Sequence, residues 1–101
     1  MEGVIYYKYT TMTEALSALA ENGYEIDFNI AGNRRTAGWE KDADAVIHII
    51  YRYEGETDPA DETVVYGIET TAGVKGVFVV AYDSHNGAGE IIAGVEMKNE
   101  K

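Results

Sequence analysis

The chain has 101 residues, enough for one hydrophobic core and too few for a comfortable second domain. Hydrophobic residues make up 46% and charged residues 26%, the balance of a soluble globule rather than of a disordered or membrane chain. Eighteen acidic against eight basic residues give a net charge of −10, which repels a nucleic-acid backbone, and the lack of cysteine removes disulfides, thiolate nucleophiles and thiolate metal sites.

No apolar run approaches the roughly 20 residues of a membrane helix, and Met1 to Tyr9 lacks the charged and apolar regions of a signal peptide. The expectation is one domain over residues 1–101, cytoplasmic, contacting neither membrane nor nucleic acid.

Val4 to Tyr9, apolar or aromatic at five of its six positions, reads as a first strand. At Thr11-Met12-Thr13-Glu14 a threonine precedes a glutamate by three residues, the spacing that satisfies two unpaired backbone donors at a helix start. Met12, Leu16 and Leu19 form an apolar stripe on that helix, and Gly23 ends it because glycine adopts the left-handed cap without steric cost. Beyond it Ile26, Phe28 and Ile30 alternate with Glu25, Asp27 and Asn29, the pattern of a strand with one buried face. Residues 31–43 carry glycine and charge with no period, apart from the isolated Trp39, and read as loop with at most a short strand at Trp39.

Val46 to Glu54 is a strong strand, with Ile47, Ile49, Tyr51 and Tyr53 on one face and Val46, His48, Ile50, Arg52 and Glu54 on the other. The acidic connection to Asp61 holds the only proline, Pro59. Thr63 to Thr71 and Val74 to Tyr82 then form a hairpin about Ala72-Gly73. The tail from about residue 89 is ambiguous: Ile91, Ala93, Val95 and Met97 alternate as in a strand, whereas Ile91, Ile92 and Val95 would line one side of a helix. These elements predict an α+β fold, a two-layer sandwich with one main helix on a four- to five-stranded, mostly antiparallel sheet.

The order Tyr9-Thr10-Thr11-Met12-Thr13-Glu14-Ala15-Leu16, Gly23-Tyr24 and Asp27-Phe28-Asn29 resembles the opening of a family of small, uncharacterised bacterial proteins of about this size. Tyr51-Arg52-Tyr53-Glu54-Gly55, Asp58-Pro59, Asp61, Tyr66, Ile68, Gly73-Val74-Lys75-Gly76-Val77 and Ala81-Tyr82 resemble its second half. Residues 31–43 and those after Tyr82 lie outside the likeness. Members are sometimes labelled phosphoribosylpyrophosphate synthetase, but the loop of paired aspartates and small hydroxyl residues that binds ribose phosphate is absent from this sequence. The resemblance implies a fold and no catalytic residues.

Several groups are candidates for chemistry. Glu54, Glu56, Asp58 and Asp61 offer oxygen ligands for a hard cation, but without the ordered twelve-residue loop of an EF-hand the favoured reading is a solvated acidic turn. His48, Arg52 and Glu54 share one predicted strand face, and Asp27 and Asn29 share another; if those faces coincide, an imidazole and carboxylates converge, and otherwise they form a polar outer surface. Arg34-Arg35 is the only basic cluster, suited to phosphate or carboxylate, or simply balancing nearby acids. His85 and Ser84 are chain neighbours that point apart, and two separated histidines do not make a zinc site. No cofactor motif is present.

The strands Val46 to Glu54 and Val74 to Tyr82 are apolar on both faces, and one helix covers only one of them. The second cover is expected from a second copy of the chain, from the ambiguous tail or from another protein, in that order. The leading expectation is therefore a small non-enzymatic module that binds or regulates through a sheet face or edge, as a possible homodimer. The alternative is a small-molecule or metal-binding domain, or an enzyme, with a polar site on the sheet.

Overall fold

The threonine at the helix start does what its spacing predicts: Thr11 Oγ1 accepts a hydrogen bond from the Glu14 amide at 3.1 Å. The computed structural model describes residues 5–9, 11–53, 63–81 and 88–99. Helix α1 spans Met12–Glu21. It ends at Gly23, whose φ is 94°. The Gly23 amide donates to Ala20 O and the Tyr24 amide to Leu19 O, both at 3.0 Å, so that the last carbonyls of the helix are satisfied.

Strand β1 (Ile5–Tyr9) precedes this helix, and the short strand β2 (Ile26–Asp27) follows it. The remaining elements are α2 (Ala31–Thr36), a 3₁₀ turn at Asp42–Asp44, β3 (Ala45–Tyr53), β4 (Thr63–Thr70), β5 (Lys75–Ala81) and α3 (Ala88–Asn99). They form a five-stranded sheet in the order β1-β3-β4-β5-β2. The central pairs β3–β4 and β4–β5 are antiparallel, as expected. Both edge pairs, β1 with β3 and β2 with β5, are parallel, so the sheet is mixed. A parallel partner requires a crossover. The chain meets this by running α1 from one edge of the sheet to the other.

The expected strand through Ile30 stops after Asp27. Asp27 Oδ1 accepts from the Asn29 amide at 3.0 Å, turning the chain out of the ladder. Asn29 then supplies the missing rung from its side chain: Nδ2 donates to Val79 O at 2.9 Å and the Val79 amide donates to Oδ1 at 2.8 Å. Phe28 is buried, whereas Ile26 and Ile30 are exposed, so the simple alternation does not hold. The segment expected to be loop contains α2, which has no apolar stripe to betray it.

A second irregularity resets the faces of β3. Ile47 pairs with Ile68 and Ile49 with Gly67, leaving His48 as the extra residue of a bulge. Ala45, Ile47 and Ile50 therefore enter one core cluster while Ile49 and Tyr51 enter the other. This corrects the expected grouping of Ile47 with Ile49 and of His48 with Ile50, because an inserted residue shifts the period-two pattern by one.

Helices lie on both faces. On one, Ala15, Leu19 and Tyr24 pack on Val65 together with Leu16, Ile49, Val77 and Val79. On the other, Ile92 and Val95 of α3 cover Ile47, Ile50, Ile68 and Phe78, joined by Phe28, Ala37 and Trp39. The ambiguous tail is thus a helix, and it is the cover that the second face lacks in the sequence reading. The two-layer, one-helix arrangement is replaced by helix, sheet and helix. Gly94 costs α3 about 1 kcal/mol of intrinsic propensity. The Asp42 carboxylate packs over it, in the space that a Cβ would take.

Candidate functional site

Leu16 and Ala20 stand one turn apart on the same side of α1, and β5 turns Val77 and Val79 toward that helix. Where leucine fills the gap between helix and sheet, alanine leaves it open. The result is a cleft of about 510 Å³ lined by Leu16, Ala20, Tyr24, Glu25, Asp27, Asn29, Val77 and Val79. That is within the size range of small-molecule sites. Its floor is aliphatic, and its polar wall comes from the segment that leaves α1 and forms β2.

Two of the residues expected to carry a site, Asp27 and Asn29, stand in this wall. Asn29 is committed to the main chain of Val79, and Asp27 Oδ1 to the Asn29 amide. His48 and Arg52 are on β3, which two strands separate from β2. With about 4.8 Å between neighbouring strands, that is about 14 Å. The imagined convergence of Asp27, Asn29, His48 and Arg52 does not form. His48 does reach a carboxylate, Glu69 Oε1 at 3.3 Å, but this half-exposed pair lies outside the cleft.

Arg34 serves the fold. Its Nη1 donates to Phe28 O at 2.7 Å, and its guanidinium lies over the Trp39 and Phe78 rings at 5.8 and 5.9 Å. Trp39 in turn meets Phe28 edge-on, with centroids 5.4 Å apart. Arg35 is exposed at the end of α2, so the pair is split and does not present two guanidinium groups to one anion. Glu54, Glu56, Asp58 and Asp61, the candidate cation ligands, lie outside the described residues, as do Ser84 and His85. Among the described residues no three histidine, aspartate or glutamate side chains gather to hold a metal.

Tyr24 closes one end of the cleft. Burial pushes its phenol above the ordinary 10.0, and the nearby Glu69 carboxylate pushes it further in the same direction. Lys75 Nζ sits over the Tyr24 ring, 5.2 Å from its centroid. The sequence offered a partial signal for this site in the second apolar face of β5. It did not reveal which helix residue would be too small to fill it. Comparison with protein-family models, curated proteins and solved structures gave no match.

Proposed function

We propose that the chain is a small, non-catalytic binding module that takes up a small molecule in the cleft between α1 and the β5–β2 edge. The observation that carries this reading is the pairing of an aliphatic floor, Leu16, Ala20, Val77 and Val79, with a polar wall in a concavity of about 510 Å³. Apolar area supplies affinity and a few polar groups supply orientation in sites of this kind. The reading is of binding rather than of chemistry because the polar lining groups are two carboxylates, a phenol held neutral and a carboxamide engaged with the main chain. Among the described residues the histidine, His48, pairs with Glu69 in another part of the sheet.

No helix among the described residues is long and apolar enough to cross a membrane. We propose a cytoplasmic location, with which the cysteine-free composition is compatible. A homodimer loses its main warrant, since α3 occupies the face that a second copy was to cover.

The test is a thermal-shift screen of small apolar and amphipathic molecules, followed by amide NMR mapping of any that stabilise. The expected result is selective stabilisation with shifts concentrated at Ala20, Val77 and Val79. Stabilising compounds whose shifts centre on α3 or on β3 would overturn the assignment of the cleft.

A further inference from the structure

Among the described residues the cleft is charged in one sense only: Glu25 and Asp27 are the charged residues of its lining, and no described lysine, arginine or histidine joins them. Asn29 spends both its acceptor and one donor on Val79. Asp27 gives Oδ1 to the Asn29 amide, and among the described residues Oδ2 has no hydrogen-bond partner. The Tyr24 phenol, held neutral by burial and by Glu69, adds no charge that would offset them. Lys75 lies over the Tyr24 ring rather than in the lining, and Arg34 is fixed against Trp39 and Phe28 O in the other core cluster. A chain of net charge −10 adds an attractive field for cations around the mouth.

Resting on the reading of this cleft as a binding site, we propose that its ligand is an amphipathic amine, a compact apolar body bearing one protonated nitrogen. The body lies on Leu16, Ala20, Val77 and Val79, and the ammonium group meets Asp27 and Glu25. Anionic ligands of the same shape, phosphates and carboxylates included, meet like charge at the one polar wall and are rejected. A bare divalent cation is a poor fit, because such ions take six or more oxygen ligands and the floor here is hydrocarbon.

The test compares three probes of matched shape, phenethylamine, 2-phenylethanol and 3-phenylpropionate, titrated into the intact chain at pH 7 and followed by amide NMR. A partly exposed ion pair is worth a few-fold in affinity, so two carboxylates give the amine an advantage of about tenfold over the alcohol, with the carboxylate probe weakest. The advantage shrinks in 1 M salt. The double variant Glu25→Gln with Asp27→Asn keeps an Oδ1 acceptor for the Asn29 amide and brings the three affinities together. Equal affinity of the three probes for the native chain, or a preference that survives the double variant, overturns the charge selection and leaves the cleft standing as a site. Failure of all three to shift Ala20, Val77 and Val79 overturns the cleft reading, and this proposal with it.

Discussion

Asn29 completes the sheet with its side chain, and removing that side chain is a sharp test of how the β2 edge is built. In Asn29→Ala the two bonds to the main chain of Val79, at 2.9 and 2.8 Å, are lost together. A neutral hydrogen bond contributes about 1 kcal/mol net, so the pair is worth about 2 kcal/mol, a substantial share of the roughly 5–15 kcal/mol that stabilises a small domain. Both bonds are only partly buried, and water entering the gap recovers some of the loss, which keeps the figure from rising further. Urea unfolding should report a midpoint shift at unchanged slope, and thermal unfolding a fall of about 10 °C. Asn29→Leu, which keeps the volume and neither bond, should lose a similar amount. Native-state hydrogen exchange adds a local reading: the Val79 amide should exchange much faster in either variant, while Val65 in the sheet centre follows global stability alone. A loss below about 0.5 kcal/mol with the Val79 amide still protected would refute the substitute-rung account.

Three further outcomes follow from the same packing. Gly67→Ala places a methyl carbon 2.9 Å from Leu19 Cδ2 and 3.3 Å from Ile49 Cβ, and should destabilise the fold by about 1–3 kcal/mol in denaturant titrations. Arg34→Ala gives up the bond to Phe28 O and the guanidinium over Trp39, a loss of about 2 kcal/mol accompanied by a red shift of Trp39 emission, and Arg34→Lys should recover less than half of it. Tyr24 holds its proton more tightly when folded than when unfolded, so its contribution is complete below pH 10 and declines as pH rises above 10 through the raised folded value. Stability curves of the native chain and Tyr24→Phe should therefore run parallel below pH 10, with the native chain losing stability relative to the variant as pH rises above it, and curves that stay parallel would show that the phenol is not held protonated.

What could be read from residues alone followed from local chemistry. Thr11 and Glu14 mark the helix start, Gly23 its end and Gly73 the hairpin turn, because each of these answers a steric or hydrogen-bonding demand within a few residues of itself. The features that escaped depend on the rest of the fold. The bulge at His48 exists to match β3 to β4, and nothing in the alternation of residues 46–54 announces it. The early end of β2 is a side-chain event at Asn29 that depends on Val79, fifty residues away. The tail resolved as helix because the apolar face at Ile47, Ile50 and Ile68 was waiting for Ile92 and Val95, and the sequence had posed that need without saying what met it. Of the candidate site, Asp27 and Asn29 were legible as polar residues of one segment. Their association with Val77, Val79 and the small Ala20 required the sheet order, which places β2 beside β5.

Both faces of the sheet are covered within a single chain, by α1 on one side and by α3 on the other. Methyl NOE spectroscopy on dilute protein measures this directly. Cross-peaks are expected from Leu19 to Val65 and from Ile92 and Val95 to the β3 and β4 isoleucines, with the α3 amides protected from exchange. An α3 that shows no cross-peaks to Ile47, Ile50 or Ile68 and exchanges its amides as fast as a free peptide would contradict this arrangement.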